Sequence, residues 1–405
     1  MIESEHINPD VLKWARETAG LPIAEAAEKL GLRDTAKLTA VEKLRALEDG
    51  THDPAPTMLQ KAASLYRRPL IAFFMPTPPR RADRGEDFRS SATIASTRDN
   101  ATLDALLRDI RARQQMVRQV LEDADNAERR PFAGSARIVD GPAEVAASIR
   151  MTLGVSEAQQ RRCRDAGALF SLLRAAAEGA GVYVLLRGDV GSHHSDIGED
   201  VFRGLALADD AVPFVVVNDN DAASARPFTL LHELAHIWLG ASGISGPLRG
   251  VPDNVIERFC NDAASEFLLP SPAIQDHSHL LRAPRTEAMA AIQNLATTWN
   301  VSEPAVTYRF VKEGWISATA ASELFALYRD RWQRDKRRQK EDRQPDETGP
   351  SFYMMRRHQL GAGLIDMVRR ALQEEALTHT KAAKILGVGP GSVSSLLRDE
   401  RRAAR

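Results

Sequence analysis

Residues 226–239 read RPFTLLHELAHIWL and contain the motif H-E-x-x-H, formed by His232, Glu233 and His236. On a helix, residues four apart project from one face, so both histidines can bind the same metal ion. The apolar residues around the motif predict that this helix is buried. Two histidines without a cysteine suit a catalytic zinc, which keeps one water and lowers its pKa to about 7. Glu233 is then placed beside the open position to accept the proton of that water.

A chance H-E-x-x-H in an ordinary helix is the alternative, so a third ligand further along the chain is the test. Residues 255–270 read VIERFCNDAASEFLLP, in which apolar residues recur at helical spacing before the closing proline. Glu257, near the start of this second helix, completes a His-His-Glu set. Asn261 lies one turn later on the same face, where it can hydrogen-bond a ligand. Asp262 and Glu266 are rivals for the third ligand position.

Several stretches of the chain match a known family. They read FRGLA at 202–206, VPFVVVN at 212–218 and FTLLHELAH at 228–236, followed by the segment from Glu257 to Pro270. Together they resemble the ImmA/IrrE metallopeptidases, which are zinc proteases of bacteria, phages and mobile elements. In this match the family's third zinc ligand falls on Glu257.

The resemblance implies a zinc endopeptidase, with Zn²⁺ as its cofactor and Glu233 as its catalytic residue. Its expected substrate is a transcriptional repressor of the helix-turn-helix class, whose cleavage derepresses a stress-response, phage or mobile-element operon. The alternative is a DNA-binding transcription regulator that uses the metallopeptidase fold as a sensor, with little or no hydrolysis. Glu233 favours the enzyme, because a sensor has no physical need for a carboxylate beside the histidine pair.

Residues 1–76 predict a bundle of short helices that resembles the lambda-repressor-like (XRE) helix-turn-helix domain. The sequence LEDG at 47–50 stands where that family has Trp-Glu-x-Gly, and the turn at 33–38 is extended. In a DNA reader, the start of the third helix meets base edges and basic residues nearby meet phosphates. The residues selected on this basis are Lys37, Thr39, Lys43 and Arg45. A protein-docking role is the alternative to operator DNA, since neighbouring acidic residues repel phosphate.

The composition is that of a globular protein, and not that of a membrane protein or of a strongly basic protein that binds nucleic acid over its whole surface. The 405 residues carry 54 Lys and Arg against 55 Asp and Glu, for a net charge of −1, and 43% are hydrophobic. DNA contact therefore requires a local basic patch. The two cysteines, Cys163 and Cys260, give no disulfide framework, and the first residues lack the apolar stretch of a signal peptide. We expect a cytoplasmic location and no membrane partner.

The pattern as a whole predicts an α+β fold that is mostly helical, with a zincin-like metallopeptidase domain flanked by N-terminal and C-terminal helix-turn-helix-like modules. A helix is expected from Arg161 to Gly181, and strands at 182–186, 202–207 and 214–217. The predicted divisions are the helix-turn-helix domain at 1–76, a hinge and helical connector at 77–135, the metallopeptidase domain at 136–320, a charged linker at 321–350 and a C-terminal helical module at 351–405.

Overall fold

A computed structural model of the protein describes residues 7–79, 86–87, 96–190, 195–247, 251–274, 276–342 and 351–398. Within these residues the fold is mostly helical with a small sheet, which confirms the predicted α+β class. Every helix in the described part of the chain is too short or too polar to cross a lipid bilayer. The chain divides into two compact units, residues 1–84 with 94–109 and residues 85–93 with 110–405.

The first unit is a helical bundle around an apolar core. Its helices are α1 (Pro9–Thr18), α2 (Ile23–Lys29), α3 (Ala40–Glu48), α4 (Pro56–Leu65) and the first part of α5 (Thr97–Asp123). Buried Arg16 donates hydrogen bonds of 2.7 and 2.9 Å to the Glu48 carboxylate, which ties α1 to the end of α3. Residues 30–39 separate α2 from α3, so the turn is the extended one that the sequence predicts.

The second unit contains the rest of α5, the remaining helices and the sheet. Its further helices are α6 (Pro142–Leu153), α7 (Glu157–Arg162), α8 (Ala166–Gly179), α9 (Arg226–Leu239), α10 (Val255–Leu268), α11 (Arg285–Trp299), α12 (Glu303–Lys312), α13 (Ala318–Glu341), α14 (Phe352–Leu360), α15 (Ala362–Gln373), α16 (His379–Leu386) and α17 (Val393–Leu397). The helix predicted from Arg161 to Gly181 is confirmed as α8 over Ala166–Gly179, but its predicted start is wrong, because Arg161 and Arg162 belong to α7. Two helices occur there because Asp165 caps α8, its carboxylate accepting from the Ala168 amide at 2.8 Å.

The sheet consists of five short strands in the order β1-β5-β3-β4-β2. They are β1 (Glu86–Asp87), β2 (Tyr183–Leu186), β3 (Gly204–Leu207), β4 (Phe214–Val217) and β5 (Gly243–Ser245). Strand β3 runs antiparallel to both β4 and β5, whereas β2 is parallel to β4 and β1 is parallel to β5. The three predicted strands are confirmed as β2, β3 and β4, and β1 and β5 add to them.

Helix α9 lies at the centre of the second unit. Pro227 stands in its first turn, and Gly240, with φ of +67°, ends it in the left-handed region that favours glycine. All residues from 227 to 238 are buried. The helix packs against α6, α8, α10 and strands β3 and β4. This packing holds the backbone that carries the H-E-x-x-H motif from several sides.

The C-terminal helices pack on the β2 edge of the sheet and on α8. Arg174 of α8 donates to the main-chain oxygens of His358 at 2.6 Å and Gln359 at 3.3 Å. Glu178, one turn further along α8, accepts from the first amides of α15, those of Ala362 at 3.0 Å and Gly363 at 3.1 Å. Two charged side chains of α8 therefore connect residues 351–398 to the part of the second unit that contains the sheet.

Candidate metal centre

Helix α9 presents its two motif histidines to the same point. The Nε2 atoms of His232 and His236 lie 3.1 Å apart, as expected for residues one turn apart on one helical face. Both rings are buried, with His232 4% and His236 0% exposed. Two imidazole nitrogens at this spacing face a common position rather than solvent.

Helix α10 supplies a carboxylate to that point. Oε1 of Glu257 lies 3.0 Å from Nε2 of His236 and 3.3 Å from Nε2 of His232. The start of α10 is fixed by Asn254, whose side chain accepts from the amides of Ile256 at 2.8 Å and Glu257 at 3.2 Å. Extensive packing between α9 and α10 keeps the carboxylate against the histidines.

The donor set fits a divalent cation. Tetrahedral ligands about 2.0–2.1 Å from a zinc ion lie roughly 3.3–3.4 Å from one another, close to the three separations observed here. Two imidazoles and one carboxylate also match the ligand chemistry of catalytic zinc sites. His232, His236 and Glu257 therefore form a group that can hold a metal ion.

The charges at these ligands show why a cation is stabilised. Burial disfavours protonation of His232, yet the adjacent Glu257 carboxylate outweighs it and raises the pKa of His232 to about 9. Burial opposes ionisation of Glu257 as well, but the two histidines lower the pKa of that carboxyl to about 2. These shifts favour a proton on His232 beside the ionised Glu257. A metal ion that binds there can replace this proton, which is then released.

Glu233 lies next to this group without joining it. Its side chain is fully buried, and neither carboxylate oxygen has a hydrogen-bond partner of good geometry among the described residues. Burial raises the pKa of Glu233 to about 8, a rise that neighbouring His232 and Ser245 partly offset. A buried carboxylate without a hydrogen bond is costly, so its presence indicates a use in chemistry rather than in folding.

Strands β3 and β5 form the wall that faces the motif. Gly204 and Ser245 are direct partners across the antiparallel pair, so their side-chain positions lie on one face of the sheet. A Cβ atom at Gly204 would come within 2.3 Å of Oε1 of Glu233, which means that the carboxylate occupies the space of the missing side chain. The hydroxyl of Ser245 lies 3.1 Å from Nε2 of His232.

Sequence reasoning missed both residues of this pair. The glycine within FRGLA offered a signal, because a glycine at the start of a strand marks close approach of another group. Ser245 offered none, since its position depends on how β5 pairs with β3.

The remaining residues proposed for the metal site have separate roles. Asn261 is buried and adds to the rise in the pKa of His232, in keeping with a supporting position near the ligands. The two rival ligands are engaged elsewhere. Asp262 accepts from the Tyr308 hydroxyl at 2.9 Å and pairs with Lys312, and Glu266 pairs with buried Arg309.

The residues proposed for nucleic-acid contact lie in the first unit, around the start of α3. Thr39 is the N-cap of that helix and forms a capping box with Glu42. Lys43 donates to the main-chain oxygen of Arg33 at 2.7 Å, and Lys37 and Arg45 are exposed. The Thr39 side chain therefore has a structural role in capping, and DNA contact by the four residues stays a prediction.

A cavity of about 750 Å³ lies in the second unit beside the start of α9. Arg203, Asp221 and Ala225 line it from that side, and Phe325 and Trp332 of α13 line it from the other. Its lining does not include His232, Glu233, His236 or Glu257. The cavity is therefore distinct from the metal centre, whose ligand residues are buried.

Comparison with known proteins agrees with this geometry. Residues 188–311 match the family model Peptidase_M78, described as the IrrE N-terminal-like domain, and this range contains Glu233 and all three ligand residues. Comparisons with curated proteins and with solved structures found no significant match. The family match and the buried His-His-Glu group together indicate that residues 188–311 form a metallopeptidase-type domain with a metal site.

Proposed function

We propose that the protein is a zinc-dependent endopeptidase. The observation that carries this proposal is the convergence of His232, His236 and Glu257, with the fully buried Glu233 carboxylate beside them. A centre used only to stabilise the fold does not require a buried carboxylate without a hydrogen bond. Zinc is favoured over other ions because two imidazoles and one carboxylate form a three-ligand set of the kind found in zinc hydrolases.

The residues have distinct tasks in peptide hydrolysis. His232, His236 and Glu257 would hold the ion, which when bound supplies Lewis acidity that polarises a peptide carbonyl and activates water. Glu233 accepts the proton of the attacking water and delivers it to the leaving amine. Its burial favours this role, because a pKa near the working pH suits a group that both accepts and donates a proton.

We further propose that the substrate is a helix-turn-helix repressor, cleaved in the cytoplasm to derepress a stress-response, phage or mobile-element operon. The ImmA/IrrE-like stretches support this substrate class, and exposed Lys37 and Arg45 in the first unit support contact with operator DNA or a repressor. The two cysteines, both free thiols, suit a reducing compartment.

A second function, a sensor that binds metal and regulates transcription with little hydrolysis, is favoured by one observation. Glu233 and His236 are 0% exposed, so a peptide reaches them only after the site opens. A protein that stays closed would bind zinc but not cleave.

The two functions are separated by incubating the protein with the repressor encoded next to its gene, with and without zinc, and analysing the products by mass spectrometry. His232→Ala should release the metal, because two remaining ligands hold a three-ligand site poorly. Glu233→Gln should keep the metal and lower turnover by roughly 10²–10⁴-fold. His279→Ala, which alters an exposed histidine outside the site, is the matched control.

Discrete fragments that require zinc and Glu233 support the endopeptidase. Intact repressor beside a fully metal-loaded protein supports the sensor. One equivalent of metal on a His232→Ala, His236→Ala double variant would rule out the ligand assignment.

A further inference from the structure

The hydroxyl of Ser245 lies among the metal-ligand atoms. Its Oγ is 3.1 Å from Nε2 of His232 and 3.5 Å from Oε1 of Glu257. Ser245 is only 3% exposed, its hydroxyl forms hydrogen bonds with these two residues, and it also lowers the pKa of neighbouring Glu233. The hydroxyl is therefore directed at the group that binds the ion.

Four donor atoms surround one position when Ser245 is included. Five of the six separations between these four atoms are 3.0, 3.1, 3.1, 3.3 and 3.5 Å. Ligand atoms at the corners of a tetrahedron around one zinc ion lie roughly 3.3–3.4 Å apart. The separations of Ser245 Oγ from His232 and Glu257 therefore fit a fourth corner, which is the corner that a catalytic site keeps for water or substrate.

The sheet accounts for this placement. Ser245 ends β5 directly opposite Gly204, and the Arg203 amide donates to the Ser245 carbonyl at 3.0 Å. The Glu233 carboxylate fills the space above Gly204. The side chain of Ser245, which neighbours Gly204 on the same face of the sheet, therefore lies beside the ligands. The register between two strands therefore places the hydroxyl, and a change of one residue would turn it to the opposite face.

We propose that Ser245 is the fourth ligand of the metal site at rest, so that its hydroxyl occupies the position that water and the peptide take during cleavage. The proposal rests on the proposed function in requiring a metal at His232, His236 and Glu257. A neutral hydroxyl held in place by the sheet binds a metal more strongly than a free water but more weakly than an imidazole or a carboxylate, so substrate can displace it. The resting site is then closed by the protein's own side chain, consistent with the burial of Glu233.

Cobalt substitution of a Ser245→Cys variant tests the position directly. A thiol at the fourth corner should bind Co²⁺ as thiolate and add a sulfur-to-cobalt charge-transfer band in the near ultraviolet. Wild type, which carries native Cys260 in α10, provides the baseline. Ser242→Cys is the matched control, because the Ser242 hydroxyl accepts from the Ala208 amide at 2.9 Å and belongs to a different contact.

Metal affinity, measured by competition with a chromophoric chelator, gives a second readout that does not depend on activity. Ser245→Ala should weaken Co²⁺ binding by about 10-fold, the lower end of the effect of supporting groups at metal sites, and Ser242→Ala should not change it. Circular dichroism establishes that each variant is folded.

The outcomes distinguish this proposal from the proposed function. A new band in Ser245→Cys alone, with weaker binding in Ser245→Ala, supports the fourth ligand. If wild type binds Co²⁺ but Ser245→Cys shows the wild-type spectrum, or Ser245→Ala binds the ion as tightly as wild type, Ser245 is not a ligand and the three-ligand site stands. Wild type that binds no Co²⁺ overturns both proposals.

Discussion

At the scale of single residues, the position of the Glu233 carboxylate depends on the absence of a side chain at Gly204. A methyl group at that point would meet Oε1 at 2.3 Å and the carboxyl carbon at 2.8 Å, so Glu233 must move in a Gly204→Ala variant. The three atoms nearest to this point all belong to Glu233 and none to a metal ligand. We expect turnover to fall by about 10²-fold, as small displacements of a catalytic group do, with metal binding unchanged.

The measurement for Gly204→Ala is peptide cleavage together with metal content. Gly179→Ala is the matched control, because a Cβ at Gly179 meets no atom within 4 Å and should leave activity intact. Undiminished cleavage by folded Gly204→Ala would show that Glu233 tolerates displacement and that its position is not set by β3.

At the scale of elements, local sequence patterns predicted those helices and strands whose own residues show apolar periodicity or an apolar run. Helix α9 was predicted from the apolar residues around its motif, and helix α10 from apolar periodicity and the closing Pro270, whereas the capping role of Asn254 was not predicted. The three strands β2 to β4 followed from apolar runs. Strand β5 was missed because its three residues, GIS, carry no alternation.

The residues of the candidate site also divide into those that a local sequence pattern predicts and those that it does not. The histidine pair and Glu233 follow from spacing on one helix, whereas the contribution of β5 depends on pairing between strands far apart in sequence. The Gly204–Ser245 pair is a matter of register, which no local window of sequence contains.

The contact of the C-terminal helices with α8 is also an element-scale feature, and it depends on Arg174. The guanidinium is buried with Glu178 and donates to main-chain oxygens of α14 and β2. Removing one partner leaves the other charge buried and unpaired. We expect Arg174→Ala to lower the free energy of unfolding by about 3–5 kcal/mol.

Urea unfolding followed by circular dichroism measures this effect. Arg164→Ala is the control, since Arg164 pairs with Asp165 on the surface, where such pairs contribute little. Equal unfolding midpoints for the two variants would mean that the C-terminal helices do not depend on the Arg174 contact.

At the scale of the whole molecule, the first unit is predicted to bind nucleic acid through its basic residues. If Lys37, Lys43 and Arg45 meet phosphates, each replacement by alanine should reduce the slope of log affinity against log salt by about one. Lys61→Ala, which removes an exposed charge from α4, is the matched control. Fluorescence anisotropy with operator DNA over a range of salt concentrations measures this slope. An affinity that does not change with salt concentration would favour a protein-docking role.

The selectivity of a peptidase in the cell is the remaining question at this scale. We expect selectivity to come from docking of the repressor on the first unit, because docking raises the effective concentration of one scissile segment without speeding attack on others. Residues 351–398 pack against the sheet and α8, and β1 pairs with β5, so the informative deletion retains both and begins at Gly85, the first residue of the second unit. The shortened protein should bind metal as the full-length protein does, and it should cleave a short peptide that contains the scissile sequence at the full-length protein's rate. Cleavage of the intact repressor, followed by mass spectrometry, should fall by roughly 10²–10⁴-fold, the range that linked binding supplies. Equal cleavage of the repressor by the shortened and full-length proteins would place selectivity in the metal-bearing unit itself.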